Sequence, residues 1–158
     1  LQLKDGIVKI KTFEDKAPKH VKQITDLVAK GSYDGVVFHR VIDGFMAQTG
    51  DVQFGNSNSD SYDLRRAGTG GSGNNIEAEF NDMAHKRGTL SMARAQDPNS
   101  ADSQFFICFG DTPHLDGQYT VWGEVIEGME FVDAIKKGDP IKNGLVDDPD
   151  KIIKMWIE

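Results

Sequence analysis

The sequence predicts a mainly β fold, an antiparallel barrel accompanied by two α-helices. Short runs of β-branched or alternating apolar residues recur along the chain, separated by turn signals that include many of its 17 glycines. Only two stretches, far apart in the chain, have the spacing of amphipathic helices. Strands that do not alternate with helices favour a closed antiparallel barrel over a parallel sheet. At 158 residues, the chain is expected to form a single domain over residues 1–158.

The first elements predicted are a hairpin and a helix. Residues 1–3 and 7–12 have the pattern of strands around the turn dipeptide Asp5-Gly6. A helix is expected over 17–30, with Pro18 in its first turn and Gly31 at its end. Its apolar residues fall on one stripe, at Val21, Ile24, Leu27 and Val28.

The rest of the chain predicts further strands and one short helix. Strands are expected near 36–42, 45–49, 76–80, 88–93, 104–109, 120–126 and 151–157. A second helix is expected over 129–137, where apolar residues have helical spacing before Gly138. Residues 52–75 are rich in Asn, Ser, Asp and Gly, and they predict a long loop that is either functional or a passive surface insertion.

The run FHRVIDGFMAQTGD, residues 38–51, places an arginine and a glutamine among apolar residues. The Asp43-Gly44 dipeptide indicates a turn, so Arg40 and Gln48 are expected on the two strands of a hairpin. A guanidinium keeps its charge at neutral pH and is rarely buried without a partner. Arg40 is therefore expected to line an apolar cleft, with donors available to a polar group.

Three blocks of this sequence resemble one known family. They are FHRVIDGFMAQ at 38–48, GTGG at 68–71 and SQFFIC at 103–108, and their order and spacing agree as well. On these residues the chain is similar, over nearly its whole length, to the cyclophilins, the peptidyl-prolyl cis-trans isomerases. The resemblance implies a closed eight-stranded antiparallel barrel with an α-helix over each open end. It also implies an enzyme that accelerates rotation about X–Pro peptide bonds in protein folding.

Rotation about an X–Pro bond needs no nucleophile, metal or cofactor, and none is expected here. Its barrier of roughly 18–20 kcal/mol arises from the partial double-bond character of the amide. A guanidinium donor aimed at the prolyl nitrogen would stabilise the twisted state more than either planar state. The competing hypothesis is a proline-peptide-binding or chaperone module that docks such segments without catalysis. An arginine donor among apolar residues favours the enzyme.

The resemblance assigns roles to individual residues of the cleft. Arg40 becomes the catalytic donor, while Gln48 and Gln104 hold Arg40 and the substrate backbone. The walls of the proline pocket are assigned to Phe45, Met46, Phe106, Leu115 and Tyr119. Substrate contacts are assigned to Ala93, Arg94 and Ala95, and a surrounding rim to His39, Gly68, Thr69 and His114.

The chain departs from familiar eukaryotic members of that family at three of these positions. Arg94 replaces an asparagine, which predicts a shift toward substrates with acidic residues beside the proline. His114 replaces a tryptophan that contacts cyclosporin, so cyclosporin binding is expected to be weakened. Tyr119 replaces a histidine, and its ring and hydroxyl can serve the same wall. His114 and the short loops resemble bacterial-type members.

Other motifs carry competing hypotheses. The GTGGSG run at 68–73 matches a dinucleotide-binding pattern, but no strand precedes it and no helix follows it, and the lysine of a phosphate loop is missing. The four histidines, which are His20, His39, His85 and His114, lack metal-ligand spacing. Glu77 and Glu79 alternate with apolar residues and are expected on the solvent face of a strand. Cys108 is expected to be a small buried residue.

Charge and hydropathy restrict the partners. A net charge of −7 and a pI near 5.0 argue against a general nucleic-acid binder. The expected partners are proline-containing peptides and unfolded or folding proteins, and the charge of the whole chain favours neutral or basic segments. No run of about 18 apolar residues predicts a membrane span. We expect a monomer in the cytoplasm, or in the periplasm if an N-terminal segment has been removed.

Overall fold

The computed structural model describes residues 1–158, and it is mainly β with two α-helices, as predicted. The helices are α1 (Pro18–Ala29) and α2 (Met129–Asp133). Single 3-10 turns lie at Pro113–Leu115 and Pro140–Lys142. The eight strands are β1 (Gln2–Leu3), β2 (Gly6–Ile7), β3 (Lys9–Thr12), β4 (Arg40–Ile42), β5 (Met46–Thr49), β6 (Thr89–Met92), β7 (Phe105–Cys108) and β8 (Val121–Glu127).

The strands form two sheets rather than one closed barrel. Six of them pair antiparallel in the order β3-β8-β6-β7-β5-β4, and β1 and β2 form a separate hairpin. The predicted closure was wrong, because no ladder joins β3 to β4. Between these edges the chain makes only isolated bridges, such as Val37 with Lys151 and Gln2 with Lys154. Just before Lys151, Asp148 has a φ of 50°, which is not an extended conformation, and Pro149 has no amide hydrogen to donate. The backbone here therefore cannot pair as a regular strand.

Several predicted elements are shorter than expected. The predicted strands at 76–80 and 151–157 are not strands, and each contributes only isolated bridges. The first predicted strand of the 38–51 hairpin begins at Arg40 rather than at residue 36, and the predicted second helix ends at Asp133. α1 agrees with its prediction to within one residue at each end and buries the predicted stripe.

Alternation along β5 and β7 divides the apolar side chains between two clusters. Phe105 and Ile107 belong to the main core, where the Phe105 ring packs edge-on against Trp122. Phe106 and Cys108 point to the opposite face of the strand and join Met46 and Leu115 in a small second cluster. Met46, Phe106 and Leu115 of this second cluster line the cleft described below. No helix has the length and apolar character to cross a membrane.

Candidate active site

Arg40 and Gln48 lie on the two strands of a hairpin, as predicted, and the structure makes them cross-strand neighbours. They pair directly in the register of β4 and β5, so both side chains lie on the same face of the sheet. Arg40 Nη1 donates to Gln48 Oε1 at 3.3 Å. Arg40 Nε donates to the carbonyl oxygen of Asn143 at 3.0 Å, and Nη2 donates to Asn143 Oδ1 at 3.1 Å. A guanidinium has five N–H donors, so these three bonds leave two donors of Arg40 free.

Arg40 opens into a cleft of about 550 Å³. Its apolar walls are the residues predicted from the resemblance, Phe45, Met46, Phe106, Leu115 and Tyr119, together with Ala93. The Phe106 ring is wedged between two others, stacked on His85 at 6.1 Å and edge-on to Tyr119 at 5.9 Å between centroids. The cleft therefore places a rigid apolar wall beside a permanently charged donor. Partial burial lowers the pKa of Arg40, which remains a cation at neutral pH.

The loop that carries Leu115 and Tyr119 is held from below by a buried histidine. His85 contacts Asp116 through Nδ1 at 2.9 Å and Ser91 Oγ through Nε2 at 2.8 Å. Burial lowers the pKa of His85 despite the neighbouring carboxylate. Ser91 is fully buried and donates to the carbonyl of Thr120. The Ser-His-Asp arrangement is therefore a structural support, since no substrate could reach the serine hydroxyl.

Arg94 lies flat on the pocket wall. Its guanidinium carbon is 4.5 Å from the centre of the Tyr119 ring. Its N–H groups donate to three backbone carbonyls, those of Ala95, Gln96 and Gln118. Arg94 thus ties the segment after β6 to the loop before β8 and keeps its charge at the edge of the cleft. The sequence indicated the charge but not these contacts.

A second, polar cleft of about 320 Å³ adjoins the first. Gln104 and Ala95 line it, while Gly68, Thr69, Gln48, Ala93 and Arg94 line both clefts. Gln48 Nε2 donates to Gln104 Oε1 at 3.1 Å. Gln104 Nε2 donates in turn to the carbonyls of Gly68 and Gly70, both at 2.9 Å. The two glutamines were expected to hold Arg40 and a substrate backbone, and in this structure they connect Arg40 to the glycine loop.

The predicted rim residues differ in their accessibility. Gly68 and Thr69 are exposed and line the cleft. His39 also lines the cleft, but its side chain is almost fully buried and its Nδ1 has no partner. Burial is the main reason that the pKa of His39 falls to about 4. His114 does not line the cleft, and its exposed ring stands 5.9 Å from that of Phe45.

Sequence reasoning missed the segment that closes one side of the cleft. Lys142, Asn143 and Leu145 all line it, and Asn143 makes two of the three bonds to Arg40. Asn143 has a φ of 57° and is followed by Gly144, packed against Ile42. The Asn-Gly dipeptide was a readable turn signal. Because Asn143 lies 103 residues from Arg40 in the chain, the sequence gives no indication that the two residues are in contact.

The prediction for Glu79 was wrong. Its carboxylate is turned away from solvent toward the start of α1, where it accepts from the amides of His20 at 2.8 Å and Lys19 at 3.2 Å. It also contacts His20 Nδ1 at 2.6 Å. The N-cap residue Ala17 has no side chain that could serve the first turn, so Glu79 supplies the missing acceptor from a distant segment.

Comparison with known proteins leads to one family. The family model described as cyclophilin type peptidyl-prolyl cis-trans isomerase/CLD matches residues 1–157. A probable peptidyl-prolyl cis-trans isomerase of Brucella abortus is 58% identical over 100% of this chain and 81% of its own length. A peptidyl-prolyl cis-trans isomerase of Helicobacter pylori is 42% identical over 87% of this chain and 79% of its own length.

Solved structures lead to the same family. A cyclophilin-type isomerase of Cryptosporidium parvum, crystallised in the presence of the dipeptide Ala-Pro, superposes with a TM-score of 0.81. It is 30% identical in sequence, and the match covers 98% of this chain and 94% of that one. A cyclophilin from Hirschia baltica superposes with a TM-score of 0.76 at 26% identity, covering 96% of this chain and 70% of that one.

Proposed function

The chain belongs to the cyclophilin-type peptidyl-prolyl cis-trans isomerases, and from this membership we propose that Arg40 is its catalytic donor. The observation that carries the proposal is the pair of free N–H groups on Arg40 at the edge of an apolar cleft. In the twisted transition state the prolyl nitrogen loses conjugation and can accept a hydrogen bond. A donor already held in place stabilises that state more than either planar amide, which is what catalysis requires.

The apolar walls supply the second half of the mechanism. The proline ring packs against Phe106, Met46 and Leu115, all of which are buried in the free protein and so need little reorganisation. With one side of the X–Pro bond anchored, rotation is confined to the other side. Exclusion of water by the ring strengthens the bond from Arg40 and disfavours the more polar planar amide. The dipeptide Ala-Pro used with the Cryptosporidium relative supports a proline-containing ligand for this cleft.

Arg94 offers backbone groups to the substrate. Its main-chain N–H and C=O form no hydrogen bond within the protein, whereas the amide of Ala93 is occupied by the carbonyl of Gln104. An extended peptide can therefore pair with Arg94 as one strand pairs with another. Gln104 has both amide hydrogens engaged, so its role is to support the cleft rather than to donate to substrate.

The charge of the cleft favours acidic residues near the proline. Its lining includes Arg40, Arg94 and Lys142 and no carboxylate, although the whole chain carries a net charge of −7. Charges beyond about 8–10 Å are screened at physiological ionic strength, so the local cations count for more than the net charge. Lys142 is exposed and belongs to none of the chain's salt bridges. It is the cation best able to meet a substrate carboxylate.

The rim residue His114 also favours weak cyclosporin binding. His114 stands beside Phe45 where the familiar members have tryptophan, and its exposed ring offers less apolar surface to a cyclic peptide. Titration with cyclosporin of the wild type and a His114→Trp variant tests this point. Tighter binding by the variant is expected, and equal affinity would contradict the role of His114.

Exchange spectroscopy on a short Ala-Pro peptide tests the mechanism. Arg40→Ala should keep the wild-type circular dichroism spectrum and lose about 100- to 1,000-fold of the catalysed exchange, as for other preorganised donors. Arg87→Ala is a matched control, since Arg87 pairs with Asp133 of α2 and does not line the cleft. A peptide-binding module would bind the peptide without accelerating exchange. Undiminished exchange in Arg40→Ala would remove Arg40 from the mechanism.

A further inference from the structure

We propose that Asp51, a buried carboxylate that does not line the apolar cleft, is a positioning residue that orients Arg40 through a directed chain of hydrogen bonds. The proposal rests on the catalytic role of Arg40 given above. Asp51 lies two residues after the end of β5 and is fully buried. No salt bridge of the chain includes it. Its partners are backbone amides.

The two oxygens of Asp51 each accept two amides. Oδ1 accepts from Gln53 at 3.1 Å and from Phe54 at 2.9 Å, which closes the turn after β5. Oδ2 accepts from Gly68 at 2.8 Å and from Gly70 at 2.9 Å. A carboxylate has no donor, so it can satisfy four N–H groups at once. Asp51 thereby holds the glycine loop with the carbonyls of Gly68 and Gly70 directed at Gln104.

The carbonyls of Gly68 and Gly70 determine which groups donate and which accept in the bonds from Gln104 to Gln48 and from Gln48 to Arg40. Because both accept from Gln104 Nε2, the Gln104 amide must present Oε1 on its other side, where Gln48 Nε2 donates to it. Gln48 Oε1 is then left to accept from Arg40 Nη1. Turning either amide over would set a donor against a donor, or an acceptor against an acceptor. Gln48 therefore accepts a hydrogen bond from Arg40 because Asp51 holds the glycine loop at the other end of this series of hydrogen bonds.

The glycines of the loop fit this function. A Cβ on Gly70 would stand 2.6 Å from Asp51 Oδ1, so the backbone can reach the carboxylate only without a side chain. Gly68 has a φ of 102°, which disfavours other residues. The glycine run that imitates a dinucleotide motif in sequence is explained by its approach to a buried carboxylate.

A double-mutant cycle tests the inference. Asp51→Asn replaces one acceptor oxygen with an NH2 group, so the side chain can no longer accept from both pairs of backbone amides at once. We expect kcat/KM for the Ala-Pro peptide to fall about tenfold in an otherwise wild-type chain, within the range of coupling in hydrogen-bond networks. In the Arg40→Ala background the same change should cause no further loss. Glu79→Gln is the matched control, because it likewise replaces one carboxylate oxygen that accepts from a backbone amide, at α1, but lies outside the series of hydrogen bonds that leads to Arg40.

The outcomes separate the two proposals. An equal loss from Asp51→Asn in both backgrounds, or no loss in either, would overturn the positioning role while leaving Arg40 as the donor. Unchanged activity in Arg40→Ala alone would instead overturn the proposed function. If Asp51→Asn does not fold, Gln104→Met breaks the same chain without touching the buried carboxylate. Its loss of activity must likewise disappear in the Arg40→Ala background, and an additive loss would refute the relay.

Discussion

Replacing His39 with glutamine should remove the contribution of this buried ring to the pH dependence of stability. His39 is 3% exposed, and its Nδ1 has no hydrogen-bond partner. Burial lowers the pKa of its ring from 6.5 to about 4; the charge of Asp51 opposes this change, and that of Arg40 adds to it. The folded protein therefore keeps His39 neutral at a pH where the unfolded chain already binds a proton.

The sign and size follow from proton linkage. Between the folded pKa of about 4 and the unfolded value of 6.5, the unfolded state binds more protons, so stability rises with pH. The contribution of the neutral ring is complete above 6.5, decreases as the pH falls through this window, and changes no further below 4. One pKa unit corresponds to about 1.4 kcal/mol, so the loss across the window is at most about 3 kcal/mol.

Urea unfolding of the wild type and His39→Gln at intervals from pH 4 to pH 8 measures this contribution. The difference between their free energies of unfolding should change with pH by up to about 3 kcal/mol. His20 and His85, whose pKa values are also lowered by burial, are present in both proteins and cancel in the difference. A constant difference, or an NMR titration of the His39 ring with a midpoint near 6.5, would refute the reasoning.

Three further predictions concern other parts of the chain. Glu79→Gln should lower the free energy of unfolding by about 1–2 kcal/mol in urea titrations, because α1 and His20 lose a charged acceptor, and an unchanged value would contradict this cap. Lys142→Gln should reduce the preference for peptides with Glu rather than Gln beside the proline about two- to fivefold, as expected of an exposed ion pair. Lys154→Gln, which is remote from the cleft, should leave this preference unchanged. Equal effects of the two substitutions would exclude a local role of Lys142 in substrate preference. Burial raises the pKa of the Cys108 thiol to about 11, so a thiol reagent at pH 8 should react far more slowly with native than with unfolded protein, and equal rates would show an accessible thiol.

The hairpin shows how much of the site is local. Alternation of side chains and the Asp43-Gly44 turn predict a hairpin with Arg40 on one strand and Gln48 on the other. A two-residue turn would set Arg40 opposite Ala47, whereas the observed connection has three residues, 43–45, and sets Arg40 opposite Gln48. The same alternation separates Phe106 from Phe105 on neighbouring positions of β7. The sequence could not say which of the two faces was core and which was pocket, because both are apolar.

The charged groups show where local reasoning ends. The charge of Arg94 predicts a preference for acidic residues beside the proline, but it does not indicate that the guanidinium binds the carbonyl of the adjacent Ala95 and that of Gln118 in another loop. Glu79 alternates like a residue on the wet face of a strand, but α1 lacks an acceptor at its first turn and recruits this carboxylate. Hydrogen bonds satisfy buried polar groups wherever a partner exists in space, and such partners have no fixed spacing in the chain.

By itself, the sequence determined the mainly β class, α1 and the hairpin that carries Arg40 and Gln48. These depend on periodicity and turn chemistry, which act over a few residues. Tertiary structure alone decided that the six-stranded sheet is not closed by a ladder, that Asn143 holds Arg40, and that Asp51 faces the glycine loop. Those contacts join segments up to 103 residues apart, and they form only when packing of the core brings unsatisfied donors and acceptors together.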